Sequence, residues 1–575
     1  MSVRTLSASP VSGARIQANR LVESLAVFAG LFSLFSLLTA VFFWSEIPHL
    51  HSALLGPPED NMQDFWNTWY VAVAKKPVGF FFTDLIRFPE GTPLYYHSFA
   101  YPKVFAVALL GKLFGAEASS LVFLHNISLL ISFPLAGVGA FYLVRHLTAN
   151  TAGALLGAFV FAFNPSHVEQ TMHHAHVASI EFIPFFVLSY LVTLERRSLP
   201  LLLLTIVLYV LNALSCWYYF FYLAYFIAFH TLYVAIRDRA APRGWALAAP
   251  IASLAGVVAI LSPILVPMVM TAVGGAAVYA GGANDFVADV FAYLAFPPYH
   301  LFGPLARGIY QRLSGNDWEA TVYLGLVNVA VMAWLYLTAR HKDDRLLKYI
   351  LYGLAVFCIF ASGDWLHVLG HSTIPMPDAV LSRLPFFGNV RTPSRAIVFV
   401  YLFLAVGVGH AASVAGKRQQ GRLSRWAMAV VAVAMVLDFF PARGFAVTPV
   451  ACSPGLAVIR DDPETGFGVL DLPSLPIGTE TTYNEGNFYM LQQAACHGRP
   501  IVQGNTSRDM VVSLRDHLET GDLQAQRRQL AAARVKYIVI RSQFPWHSED
   551  GPQRMYPLVY QIAYDDGRLM VLRVY

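Results

Sequence analysis

Asp60 and Asp64 lie four residues apart in EDNMQDFWNTWY (Glu59–Tyr70), a stretch that also holds two tryptophans. On a helix, residues so spaced share a face, so the pair is either a solvated acidic patch or the entrance of an active site. Trp66, Trp69 and Tyr70 read as an aromatic belt at a membrane interface. Farther on, FNPSHVEQTMHHAHVASIEFIPF gathers His173, His174 and His176. Histidines three apart share a helix face and could form half of a metal site, but zinc needs further ligands that no spacing here supplies. Hydrogen bonding at an interface is the simpler role for them. Glu181 lies near the end of an apolar run, where an acid is costly unless it faces a cavity, and Glu319 begins another run in the same way. Arg391 and Arg395 bracket Thr392, Pro393 and Ser394. They either snorkel to lipid headgroups or grip a ligand phosphate.

The elements that must position these residues are mostly apolar. Of 575 residues, 56% are hydrophobic and 13% charged, with a mean hydropathy of +0.51. Soluble chains carry about 25% charged residues, so most of this one belongs in a bilayer. The net charge is +5, but the basic residues come in small groups between apolar runs. Without a basic face, nucleic acid is not an expected partner.

About eleven runs have a length suited to crossing hydrocarbon: 21–44, 121–144, 151–164, 177–194, 199–215, 217–236, 245–271, 320–339, 346–363, 395–415 and 424–440. Arginines precede the first run, at Arg4, Arg15 and Arg20. Others follow at every second connection, at Arg145, Arg196, Arg237, Arg340 and Lys417, if Tyr101–Gly115 is a re-entrant or interfacial helix. By the bias of basic residues toward the cytoplasm, the N-terminus is cytoplasmic and Asp60 faces outward. The first run is too long for a secretory signal core and lacks a small-residue cleavage site, so it reads as a retained anchor. The chain thus divides into a cytoplasmic tail (1–20), a membrane domain (21–441) with external loops at 45–120, 165–176, 272–319 and 364–394, and an extracytoplasmic α/β domain (442–575). Strands are expected at Phe467–Pro473, Lys536–Ser542 and Arg568–Tyr575, and a helix within Arg508–Ala533. Cys452 and Cys496 lie in that last region, and an oxidising compartment would allow them to pair. Cys216 and Cys358, in or near apolar runs, read as packing.

The order of first span, large outer loop and early acid resembles the GT-C superfamily of polytopic membrane glycosyltransferases. DNMQDFWNTWY, FFFTDLIRFPEGTPLYYHSFAYP and VFAFNPSHVEQTMHHAHVASIEFIPF look like a bacterial branch of it. CHGRPIVQGNTSR followed by ARVKYIVI looks like the α/β region trailing that branch and YfhO-like proteins. There is no clean paired-acid motif of the oligosaccharyltransferase type and no WWD-like acceptor motif. The resemblance implies a polyprenyl-phosphate sugar donor, a glycan, lipid or protein acceptor, and a site at the surface of a bacterial inner membrane. It implies Asp60 as general base, with Asp64 in reserve. Arg391, backed by Arg395, Lys103 and His97, would cradle the phosphate; His173, His174 and Glu181 would line the sugar or acceptor site, with Glu319 a further binding candidate. A divalent metal is compatible with this chemistry but not required by any motif. Two other classes remain open: a non-catalytic accessory protein of envelope glycan assembly, and a transporter or flippase of lipid-linked sugars. The transporter would want charges near mid-membrane and repeated spans, and neither is evident.

Overall fold

The computed structural model describes residues 10–74, 81–115, 117–273, 283–383, 390–418, 422–472, 480–508, 511–541 and 552–575. Residues 1–9 of the expected tail, 274–282 and 384–389 of two outer loops, and the ends of two expected strands, Pro473 and Ser542, lie outside that set.

The chain is a membrane protein built mainly of helices. A helix stands at each of the eleven apolar runs. Among the described residues, five segments are long and apolar enough to cross a bilayer by length and composition alone: Glu23–Phe42, Ala118–Thr148, Trp217–Asp238, Trp245–Val273 and Pro393–Lys417. Leu199–Ser215, Leu326–Ala339 and Trp426–Phe439 are apolar but shorter. Two runs begin later than expected. The fourth becomes helical at Phe182, which leaves Glu181 as its N-cap. The eighth becomes helical at Leu326, so Glu319 sits in a separate short turn of helix, Asp317–Ala320. In both cases apolar composition continued past the point where the backbone turns to build the polar cap.

The helix Ile397–Arg418 runs through the middle of the bundle, buried along most of its length. Thr151–Ala162 lies directly on it because Gly153 and Gly157 present no side chain. A Cβ at Gly153 would stand 2.5 Å from the Gly409 carbonyl oxygen, and one at Gly157 2.4 Å from that of Ala405. Small residues four apart are the usual means of bringing membrane helices this close.

Above the bundle, Ala53–Leu55 pairs antiparallel with Val447–Pro449, tying the first loop to the chain just beyond the last apolar helix. The closing region contains a four-stranded sheet in the order Gly468–Leu472, Val535–Arg541, Leu569–Arg573, Gln561–Asp565. The first pair is parallel and the other two are antiparallel. Cys452 and Cys496 are disulfide-bonded. One hydrophobic core joins this region to the first loop: Phe65 and Trp66 pack in the same cluster as Val469, Tyr489, Met490 and Tyr537. The expected aromatic belt is therefore corrected. Trp66, Trp69 and Tyr70 are buried, with Trp66 stacked on Tyr70 at 5.0 Å and its Nε1 donating to Gln493 Oε1 at 2.7 Å.

Candidate active site

The site begins with a close approach of backbone to backbone. Gly56, at φ +95°, lies where a Cβ would come within 1.8 Å of the Met172 carbonyl oxygen. Pro57 and Pro58 follow, and the helix Asp60–Trp69 starts at once, with Asp60 in its first turn. There its charge meets the positive end of the helix. Met172 lies in the helix Pro165–His173, which is started by Asn164, whose side chain accepts from His167 N, and by Pro165 at the first position. His174 ends that helix. Contact at Gly56 thus brings the start of one short helix against the end of the other.

Asp60 and His174 meet at this junction. His174 Nε2 is 3.0 Å from Asp60 Oδ2, and Asn487 Nδ2 donates to Asp60 Oδ1 at 3.2 Å. Asn487 is held in that orientation because its Oδ1 accepts from Asn505 Nδ2 at 3.2 Å. On its other side, His174 Nδ1 lies 2.7 Å from Gln170 Oε1 and 3.7 Å from Glu319 Oε1. Gln170 Nε2 donates to Glu319 Oε2 at 3.1 Å. Arg395 Nε donates to the two Glu319 oxygens at 3.0 and 3.2 Å, and its Nη2 also bonds Oε1. The guanidinium lies 4.7 Å above the Tyr218 ring. Burial pushes the Glu319 carboxyl up, but Arg395 and His174 outweigh it and hold the group below its ordinary range.

Asp60, His174, Arg391 and Arg395 border one cavity of about 140 Å³. Arg508 and Tyr96 complete its polar side, with the Arg508 guanidinium 5.6 Å over the Tyr96 ring. The opposite wall is apolar, made by Trp217, Phe220 and Phe221 from the start of one membrane helix and Leu265 and Met268 from the end of another. An acid, arginines and a greasy slot in one cavity suit an amphiphile with an anionic head.

The other expected site residues fall around this cavity in different ways. Asp64 also borders it, but is buried and accepts from Ala175 N at 2.8 Å. Burial pushes its carboxyl up to about 8, against the lowering effect of that hydrogen bond. His97 is buried with both nitrogens engaged, Nε2 with Asn67 Oδ1 at 2.6 Å and Nδ1 accepting from Ser507 N at 3.2 Å. Burial lowers it to about 4, so it is neutral and is not the cation expected of a phosphate cradle. Lys103 is buried below, its Nζ without a hydrogen-bond partner among the described residues. Burial lowers its affinity for a proton, against the pull of the Glu181 and Asp64 charges. His173 bonds Glu59 at 3.1 Å and stacks on Trp318 at 4.4 Å. Glu181 accepts from Ser132 Oγ at 2.6 Å, away from the cavity wall.

His173 turns to Glu59 and Trp318, whereas His174 and His176 both border the cavity with ring centroids 5.6 Å apart, so the three do not act together as a half-site. Among the described residues no set of three or more His, Cys, Asp or Glu side chains is placed to hold a metal ion. The donors that the described residues bring to the cavity do not fit a divalent ion. Asn487 and Arg508 were not singled out by sequence. The signals available were the amide-rich segment around Asn487, in YNEGNFYMLQQAACHGRP, and the segment CHGRPIVQGNTSR, which ends on Arg508.

A helical bundle capped by loops that enclose an acid-bearing cavity is a GT-C-like membrane fold. Two solved structures share it: the oligosaccharyltransferase of Archaeoglobus fulgidus in the apo form (TM-score 0.53), and the same organism's oligosaccharyltransferase AglB in complex with an inhibitory peptide and a dolichol-phosphate (TM-score 0.50). Each is 12% identical, over 89% of this chain and 69% of the other. Residues 19–442 match the family described as Domain of unknown function (DUF6311), and the chain belongs to that family. No curated protein matches the sequence. The comparisons support the GT-C-like fold but not a YfhO-like branch.

Proposed function

We propose that the protein is a membrane glycosyltransferase that moves a sugar from a polyprenyl-phosphate donor to a glycan, lipid or protein acceptor, with Asp60 as general base. The observation that carries this reading is the cavity itself, in which the Asp60 carboxylate shares one space with arginines and with an apolar slot between membrane helices. Asp60 takes the proton of the acceptor hydroxyl as that oxygen attacks the anomeric carbon. The bond from that carbon to the phosphate oxygen breaks, and its electron pair leaves with the phosphate. A positioned base of this kind contributes about 10²–10⁴-fold. Arg391 and Arg508, which border the cavity together with Asp60, meet the charge that grows on the leaving phosphate. Asp64, protonated up to about pH 8, is a poor base at neutral pH. The polyprenyl chain lies along Trp217, Phe220, Leu265 and Met268. The dolichol-phosphate bound by the archaeal structural neighbour is a ligand of the same chemistry.

In this reading all eleven apolar helices cross the membrane, and the bias of basic residues toward the cytoplasm places the N-terminus there. The cavity and the closing α/β region then face the outside of a bacterial inner membrane. The test is mass-spectrometric profiling of lipid-linked and surface glycans in wild type, a deletion strain, and the deletion complemented with Asp60→Asn. The expected result is loss of one sugar increment in the deletion and no rescue by Asp60→Asn. Full rescue would return the chain to the accessory class.

A further inference from the structure

Both nitrogens of His174 face groups that accept. Nε2 meets Asp60 Oδ2, and Nδ1 meets Gln170 Oε1. That oxygen is the acceptor end of the amide because the Gln170 nitrogen is turned toward Glu319 Oε2 and, at 3.5 Å, the Trp318 carbonyl. An ionised Asp60 can only accept, so His174 satisfies both contacts only with a proton on each nitrogen. Behind it, Glu319 is paired with Arg395, which also borders the cavity. Asp60, His174, Glu319 and Arg395 thus form a row of alternating charge from the acid to the arginine wall. His173 and His176 are further ionisable neighbours of His174, with ring centroids at 6.5 and 5.6 Å. Asp60 additionally faces Asp64 and His97.

We infer that His174 is the positioning residue of Asp60, holding its Oδ2 in place and, as an imidazolium, keeping the carboxylate ionised until it takes the acceptor's proton. This rests on reading Asp60 as the base. When Asp60 gains that proton its charge is neutralised and the row turns net positive. Both ends of the row border the cavity where negative charge builds on the departing phosphate. Proton uptake at one end of the row therefore favours departure of the leaving group at the other.

The experiment follows the rate of the sugar increment, by pulse labelling at external pH values from about 5.5 to 8.5, in cells carrying wild type, His174→Gln, His174→Ala or Asp60→Asn. His174→Ala is expected to lose up to about a hundredfold, the scale of a misplaced catalytic group. His174→Gln keeps a donor toward Asp60 but no charge. It should retain more activity, with the acid limb of its profile moved to higher pH because Asp60 loses a cation that favours its ionised form. Wild-type rates at every pH in both His174 variants, with Asp60→Asn inactive, would overturn this inference alone. An active Asp60→Asn would overturn the base reading itself. A second arm needs no turnover: Tm against pH for purified wild type, the Asp60→Asn and His174→Gln variants, and their combination. Non-additive losses are expected for a coupled pair, and strictly additive losses would refute it.

Discussion

Asp60 and Asp64 share a helix, yet their surroundings divide them. Asp60 keeps 27% of its side chain exposed and meets His174 and Asn487, whereas Asp64 is buried and its carboxyl is pushed up to about 8. An unfolded aspartic acid titrates near 4. The folded state therefore holds the Asp64 proton more tightly, and the stability this confers is full below about pH 4 and is lost as pH rises to 8. Asp64→Asn should flatten the fall of Tm between pH 5 and 8, a change that differential scanning fluorimetry in detergent would detect. His97 acts at the opposite end. Burial lowers it to about 4, so its contribution is present above about 6.5, the unfolded value, and is lost as pH falls toward 4. His97→Gln should reduce the acid sensitivity of Tm in the same assay.

At the scale of elements, the contact between Thr151–Ala162 and Ile397–Arg418 depends on two missing side chains. A leucine at Gly157 would meet backbone at Ala405, which cannot yield as a side-chain tip can. Overpacking of this kind costs about 1–3 kcal/mol or more. Gly157→Leu should lower Tm or prevent accumulation, while an exposed substitution such as Val430→Leu on a neighbouring helix should change neither. The disulfide between Cys452 and Cys496 closes a separation of 44 residues, a cross-link worth about 4 kcal/mol in the loop-entropy account. It lies just beyond Gln493, the residue that holds Trp66. Cys496→Ala should therefore lower Tm, with increased cleavage of the closing region under limited proteolysis.

Over the whole molecule, the closing region is part of the site. Asn487 reaches Asp60, Arg508 borders the cavity, and the core under Trp66 is shared between the first loop and the sheet. A chain ending at Phe440 would leave Trp66 and Phe65 uncovered and Asp60 without one of its donors. It should lose the sugar increment entirely even where it accumulates in the membrane, which the same glycan profiling would show. An accessory region that only recruits an acceptor would instead leave a reduced but measurable increment.

Much of this arrangement was legible from composition and spacing. Helices at the apolar runs, polar loops between them and the acid at the start of the first loop all follow from hydropathy and charge, which are local along the chain. Asp60, His174, Arg391 and Arg395 could be named one at a time, because an ionisable residue beside an apolar run is costly wherever it occurs. Their meeting was not legible. It depends on Gly56 lying on the Met172 carbonyl, on Glu319 leaving its helix, and on Asn487 and Arg508 arriving from more than 400 residues away. The tryptophans beside Asp60 carry the composition of a membrane belt, and only the packing of the closing region over them makes them core. Sequence by itself determined which segments seek lipid and which seek water, since that preference belongs to each side chain alone. Tertiary structure decided that Asp64 loses its charge, because desolvation and hydrogen bonding depend on neighbours that only the fold supplies.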